Sequence, residues 1–220
     1  MTTATALTDA RRGVLRRRIR WIVSITIGYN LIEAVVAITA GSAASSAALV
    51  GFGLDSTIEV LSAVAVAWQF TRKDPERWEK GTLRVIAVAF FTLAAYVTVS
   101  SLLALVGAVN VKHSPFGIIL TAVSVVIMPF LSLAERRAGK EIGSATAVAD
   151  SKQTLICTYL SAAVLIGLVL NSAFGWWWAD PIAGLVIAVF ALREGLEAWK
   201  GDACATSVGM VLEDGSDHDQ

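Results

Sequence analysis

Apolar residues dominate the chain in six long runs between about residues 21 and 200, separated by short polar stretches. Most runs approach or exceed 20 residues, and at ~1.5 Å per residue a helix of that length crosses the ~30 Å hydrocarbon core of a bilayer. The pattern therefore predicts an all-α integral membrane protein, a bundle of six transmembrane helices. Span one runs from about Trp21 to Ala40, and an uncharged turn covers Gly41 to Ser46. Span two reaches Trp68, Gln69 and Phe70. A charged loop from Thr71 to Thr82 precedes span three, about Val85 to Val106. Asn110 to Pro115 link it to span four, about Phe116 to Leu133, where Pro129 is placed to kink the helix. Glu135 to Gly143 form another charged loop. Span five, read from Ile142 to Ala173, is a helix of about 48 Å, longer than the core it crosses. Gly175 to Pro181 form the last turn, with Asp180 expected as N-cap and Pro181 as first helical residue of span six, which ends near Trp199.

The breaks in this apolar pattern carry the chemistry. Asp55 and Glu59 lie in the middle of span two, four residues apart and so on one helix face. Asn30 and Glu33 share a face of span one in the same way. An ionised carboxylate facing lipid is costly, so these acids should face a protein interior or a wet cavity, where they commonly mark an ion or proton path. The plainer reading is that they are protonated or paired with a neighbouring helix.

Charge decides orientation. Only 16% of residues are charged and 55% are hydrophobic, against about 25% charged in a soluble domain. Basic residues crowd the N-terminal segment, with Arg11, Arg12, Arg16, Arg17, Arg18 and Arg20, and recur in the second and fourth loops and after span six. The first, third and fifth loops hold one lysine, Lys112. By the positive-inside rule both termini are expected in the cytoplasm. The seven tryptophans fall at or near span ends, where interfacial rings belong. The expected organisation is a basic cytoplasmic segment over 1–20, a six-span domain over 21–200 and a short acidic cytoplasmic tail over 201–220. A basic arm followed at once by an apolar run argues against a nucleic-acid partner. No cleavable leader is expected, and Cys157 and Cys204 make no disulfide framework.

Depth can be counted from the cytoplasmic ends. Glu59 lies about eleven residues in from Phe70 and Asp55 about fifteen; Gln153 and Cys157 lie at the same counts from Ile142. Glu33 is about thirteen residues in from Arg20, and Asp150 sits roughly one turn nearer the cytoplasm than Gln153. Carboxylates, an amide and a thiol at one level suit a divalent cation, and thiolate with carboxylate favours a zinc-like ion over magnesium or calcium. Each member also has a plainer role: Cys157 as a small buried hydrophobe, Gln153 as an interhelical hydrogen-bonding group, Asp150 and Lys152 as solvated residues at a helix start. His113, in an outer loop, and His218, in the tail, are not read as core ligands.

At these residues the chain resembles the cation diffusion facilitator family of metal efflux transporters. Its span-two pattern, Ala-Asp-Ala-x-His/Asp-Ser-x-x-Asp, is met by Gly51 to Glu59, with Asp55 and Glu59 on the two ligand positions. Its span-five pattern, Ala-Asp-x-x-His-x-x-x-Asp, is met by Ala149 to Cys157; Gln153 stands at the usual His and Cys157 at the usual Asp. Asn30, the Gly41–Ser46 turn, the tryptophan-rich turn and Asp180-Pro181 are similar too. The residues after Lys200 are too few for the family's large cytoplasmic C-terminal domain, so the resemblance is to divergent members similar to vesicular zinc transporters.

The resemblance implies a multi-pass protein of the plasma (inner) membrane that exports a divalent transition metal, zinc foremost, by alternating access in exchange for protons. Asp55, Glu59, Cys157 and Gln153 would be ligands, Glu33 a ligand or proton carrier, and Asp150 a residue feeding ions in from the cytoplasm. Zinc or a similar divalent cation is then substrate, and no prosthetic group is expected. The expected partners are the lipid bilayer, divalent metal ions and protons, and a homodimer is compatible with the reading. The alternative is a non-transporting membrane protein that senses metal or binds a partner through a degenerate site. An enzyme is not expected: there is no Ser/His/Asp set, zinc-protease spacing or phosphate loop.

Overall fold

The computed structural model describes residues 9–70, 75–142 and 145–200; within these, the side chains at 9, 10, 12, 16, 66–70, 75–79, 145–147, 149 and 150 are left undescribed. Six helices make up the described residues: α1 Asp9–Ala44, α2 Ala47–Phe70, α3 Pro75–Leu105, α4 Pro115–Ile142, α5 Ala145–Phe174 and α6 Ala179–Lys200. The all-α membrane bundle expected from the apolar pattern is therefore present. Five of the helices are long and apolar enough to cross a membrane. The sixth, α6, carries Asp180 at one end and Arg193, Glu194, Glu197 and Lys200 at the other.

Short connections force consecutive helices to run antiparallel. One end of the bundle thus gathers Arg17, Arg18, Arg20, Arg84, Arg136, Arg137, Lys140, Arg193 and Lys200, while Lys112 lies at the other. We call these the basic end and the opposite end. α3 packs along α6 and α4 along α5; α1 packs against α2 and α4, and α2 touches α3, α5 and α6. Large apolar side chains such as Leu61, Val85, Phe116, Phe130, Ile166 and Val189 point outward. Hydroxyls, amides and acids, including Asn30, Glu33, Asp55, Ser56, Thr121, Ser124 and Asn171, are buried. That distribution fits lipid, where small and polar residues hold helices together.

Three helices run further than the sequence pattern suggests. α1 starts at Asp9, well inside the basic segment, because Leu15, Ile19 and Val23 form a stripe that packs with Ala138 of α4. Arg11 Nε donates to Glu141 Oε1 at 2.6 Å across the same contact. α4 correspondingly continues to Ile142 through the stretch expected as a charged loop, and it carries Pro129 inside it. α3 begins at Pro75 rather than near Val85. In α1 and α4 good helix formers and a packed stripe prolong the helix past the apolar run.

The first turn is tighter than expected. α1 ends at Ala44, Ser45 takes a positive φ of 54°, and Ser46 caps α2 by accepting from Leu49 N–H at 3.0 Å. Asp180 does not act as the N-cap of its own helix. Its carboxylate accepts from Ser46 Oγ at 2.5 Å through Oδ1 and faces the backbone N–H groups of Ala47 and Ala48, while Oδ2 is buried without a hydrogen-bond partner. It therefore lies at the N-terminal start of α2, a different helix, and through Ser46 clasps α2 to α6 at the opposite end.

Candidate functional site

Glu59 is the centre of the polar interior. Its half-buried carboxylate accepts from Asn30 Nδ2 of α1 at 2.8 Å through Oε2. Through Oε1 it accepts from the Cys157 thiol of α5 at 2.8 Å and from Gln153 Nε2 at 3.4 Å. A carboxylate taken out of water needs such donors to be stable. All four side chains border a cavity of about 60 Å³ that also reaches Met128 of α4 and Glu194 of α6. One water molecule takes about 30 Å³ of liquid, so there is room for a small ion and a water.

Depth counting brought the right residues together in a slightly shifted register. Cys157 meets Glu59, not Asp55. The Cα–Cβ bonds of α2 tilt toward its own N-terminus, so the long Glu59 side chain reaches up toward the level of Cys157. Asp55 lies one turn deeper, 7% exposed, and makes no hydrogen bond with the described residues. It lies within electrostatic reach of Glu59, Glu194 and Glu33.

Glu33 stands apart from the cavity. It is 1% exposed and accepts from Ser56 Oγ of α2 at 2.9 Å and from Ser124 Oγ of α4. Tyr29 Oη lies 2.7 Å from the same Ser124 oxygen. These hydroxyls tie α1, α2 and α4 together through one acid. The side chain of Asp150 lies outside the described residues, as do Cys204, His218 and the whole stretch 201–220.

Among the described residues, no group of three or more His, Cys, Asp or Glu side chains is disposed to hold a metal ion as it stands. The donor set is nonetheless suited to one after modest rearrangement. A cation there would displace the thiol proton of Cys157, and the amides would turn their oxygens inward. Asn30 already presents an acceptor: it is 6% exposed, and its Oδ1 is buried without a hydrogen-bond partner. The amide orientation follows from the network, since the NH₂ must face the Glu59 carboxylate.

Two cavity residues escaped the reading of site residues from sequence. Asn30 is legible as a same-face partner of Glu33, yet its bond to Glu59 needs the α1–α2 packing. Glu194 was hidden among the charges at the end of span six, with Arg193, Glu197 and Lys200 around it. Only its separation from Arg193 by one residue, hence by about 100° of helix, hinted at a different face.

The profile of the cation efflux transmembrane domain matches residues 22–201. The cation-efflux pump FieF of Shewanella oneidensis is 28% identical over 158 residues, which cover 68% of this chain and 52% of that protein. The chain thus spans about half the length of this curated relative. The family profile covers most of the chain and reaches into all six helices, starting within α1. On that match the chain belongs to the cation efflux, or cation diffusion facilitator, family.

Proposed function

We propose that the protein exports a divalent transition metal, zinc foremost, from the cytoplasm across the plasma membrane in exchange for protons. The observation that carries this reading is the Glu59 carboxylate, ringed by Asn30, Gln153 and Cys157 beside a cavity within the bundle. Asp55 and Glu59 supply the charge, Cys157 the soft ligand, and Gln153 and Asn30 neutral oxygens. The six-helix unit over about 21–200 is the transporter, with the flanking segments on the cytoplasmic side. The cavity draws on all six helices, from their middles toward the basic end. By the positive-inside rule that end faces the cytoplasm, so the conformation is one that loads from inside.

Proton coupling follows from competition. Carboxylate and thiol protons must leave before a metal binds, and they return when it departs. Glu33, held by Ser56 and Ser124, is the adjoining proton carrier in this scheme, and Asp150 stands on the cytoplasmic approach.

Reconstitution into sealed vesicles tests the reading. Zinc uptake should follow an imposed proton gradient and should collapse when the gradient is dissipated. The same assay across zinc, cadmium, manganese and iron ranks the metals. Metal binding without flux in any of them would instead favour a sensing protein.

A further inference from the structure

We propose that Glu194 is a protein ligand that a cation meets on its way from the basic end before it reaches Glu59, and that it passes the ion inward to Glu59. This inference rests on the reading that the cavity binds a divalent cation.

Glu194 is 7% exposed, and its side chain borders the same cavity as Glu59 and Cys157. Among the described residues it makes no hydrogen bond and no ion pair. Its helical neighbour Arg193 is turned away, with Nε 2.9 Å from Glu197 Oε1 on the exposed outer face. Among the described residues no lysine, arginine or histidine borders the cavity. Glu194, Asp55 and Glu59 lie within electrostatic reach of one another; Arg193 reaches Glu194 from the outer face and offsets part of that charge, but it does not border the chamber. Buried charge of that kind calls for a partner, and a divalent ion is one that can come and go.

Position gives Glu194 its place in the sequence of contacts. It lies six residues before Lys200, roughly 9 Å from the helix end, whereas Glu59 lies eleven residues before Phe70, roughly 17 Å in. Ala198 borders the cavity one turn further out, so the space continues past Glu194 toward the basic end. The backbone there is held firmly: a Cβ on Gly195 would lie 2.7 Å from Phe91 Cε1. That close approach of α6 to α3 fixes where the Glu194 side chain starts. An intermediate ligand lets an ion shed its water in steps, and passage through several weak sites is faster than through one tight site.

The test uses the full chain, purified for zinc titration and reconstituted for zinc flux. Glu194→Gln should raise the zinc KM about tenfold and weaken zinc binding similarly, with maximal rate within about twofold of wild type. Glu194→Asp, which keeps the charge, should recover most of the affinity. Unchanged KM and affinity in Glu194→Gln, in a protein whose wild type transports zinc, would overturn the inference and leave the proposed function standing. A fall in maximal rate with unchanged KM would overturn it also, by assigning Glu194 a structural role. A wild type that neither binds nor moves zinc, cadmium or manganese removes both. Should Glu194→Gln not insert, the wild type still decides: zinc should slow carbodiimide modification of Glu194, read by peptide mass spectrometry, and modification indifferent to zinc counts against the proposal.

Discussion

α2 passes through two unlike halves of the molecule. Near the opposite end Leu49 and Phe52 are buried against Leu160, Val164, Leu168 and Ile187, and the Ser46–Asp180 clasp closes the helix ends. Gly53 lies so close to α1 that a Cβ there would meet the Ile38 backbone nitrogen at 2.9 Å. Toward the basic end the same helix presents Asp55, Glu59 and Ser62 to a cavity or to polar neighbours. One half is held by close apolar packing and a neutralised helix start. The other is held by hydrogen bonds that an incoming ion could take over. The difference teaches that a single helix can serve as seal and as site, because side-chain size and polarity change over only two turns. In the proposed cycle the sealed half must open when the polar half closes.

The sharpest way to break this comparison is to remove charge from the polar half. Asp55→Ala or Glu59→Ala should lower zinc flux by at least about a hundredfold, ~3 kcal/mol or more at the site, with membrane insertion retained. Wild-type flux in the double variant would move the site away from α2.

Cys157 comes next. As a thiolate ligand it should be protected from thiol reagents by zinc or cadmium, measured in a Cys204→Ser background. Cys157→Ser should cut the preference for cadmium over manganese by about tenfold. Fast labelling that metal does not slow would leave Glu59 to bind with oxygen and amide partners alone.

The sealed half should respond through stability. Asp180→Ala removes the acceptor of the Ser46 hydroxyl and the negative charge at the start of α2, at a cost of about 1–3 kcal/mol. Thermal unfolding in detergent should show a lower midpoint, and Asp180→Asn should be milder because it keeps an acceptor. Equal midpoints for wild type and Asp180→Ala would mean the clasp holds nothing.

The smallest effect is expected where neither half is touched. The Arg11–Glu141 pair is well exposed, with side-chain exposures of 63% and 36%. Arg11→Ala should cost no more than about 1 kcal/mol and leave flux unchanged. A large loss of transport would tie the α1–α4 extension to the transport cycle.

The sequence by itself determined the all-α membrane architecture, the number of helices and the face shared by Asp55 and Glu59. Those are local properties: about 20 apolar residues are needed to cross hydrocarbon, and i, i+4 spacing is fixed by helix geometry. It also determined that Gln153 and Cys157 would meet α2, since antiparallel helices counted from one membrane face come level. Gln153 meets Glu59 as the count expects, and tertiary structure alone decided which acid Cys157 meets. Side-chain reach along α2 delivers Glu59 to Cys157, while rotation of α1 and α4 delivers Glu33 to Ser124. It likewise sent Asp180 to the start of α2 instead of its own helix, and turned Glu194 inward while Arg193 and Glu197 pair outside. Such outcomes depend on helix rotation and register to within a fraction of a turn. Those are set by many close contacts at once, and no single stretch of sequence contains them.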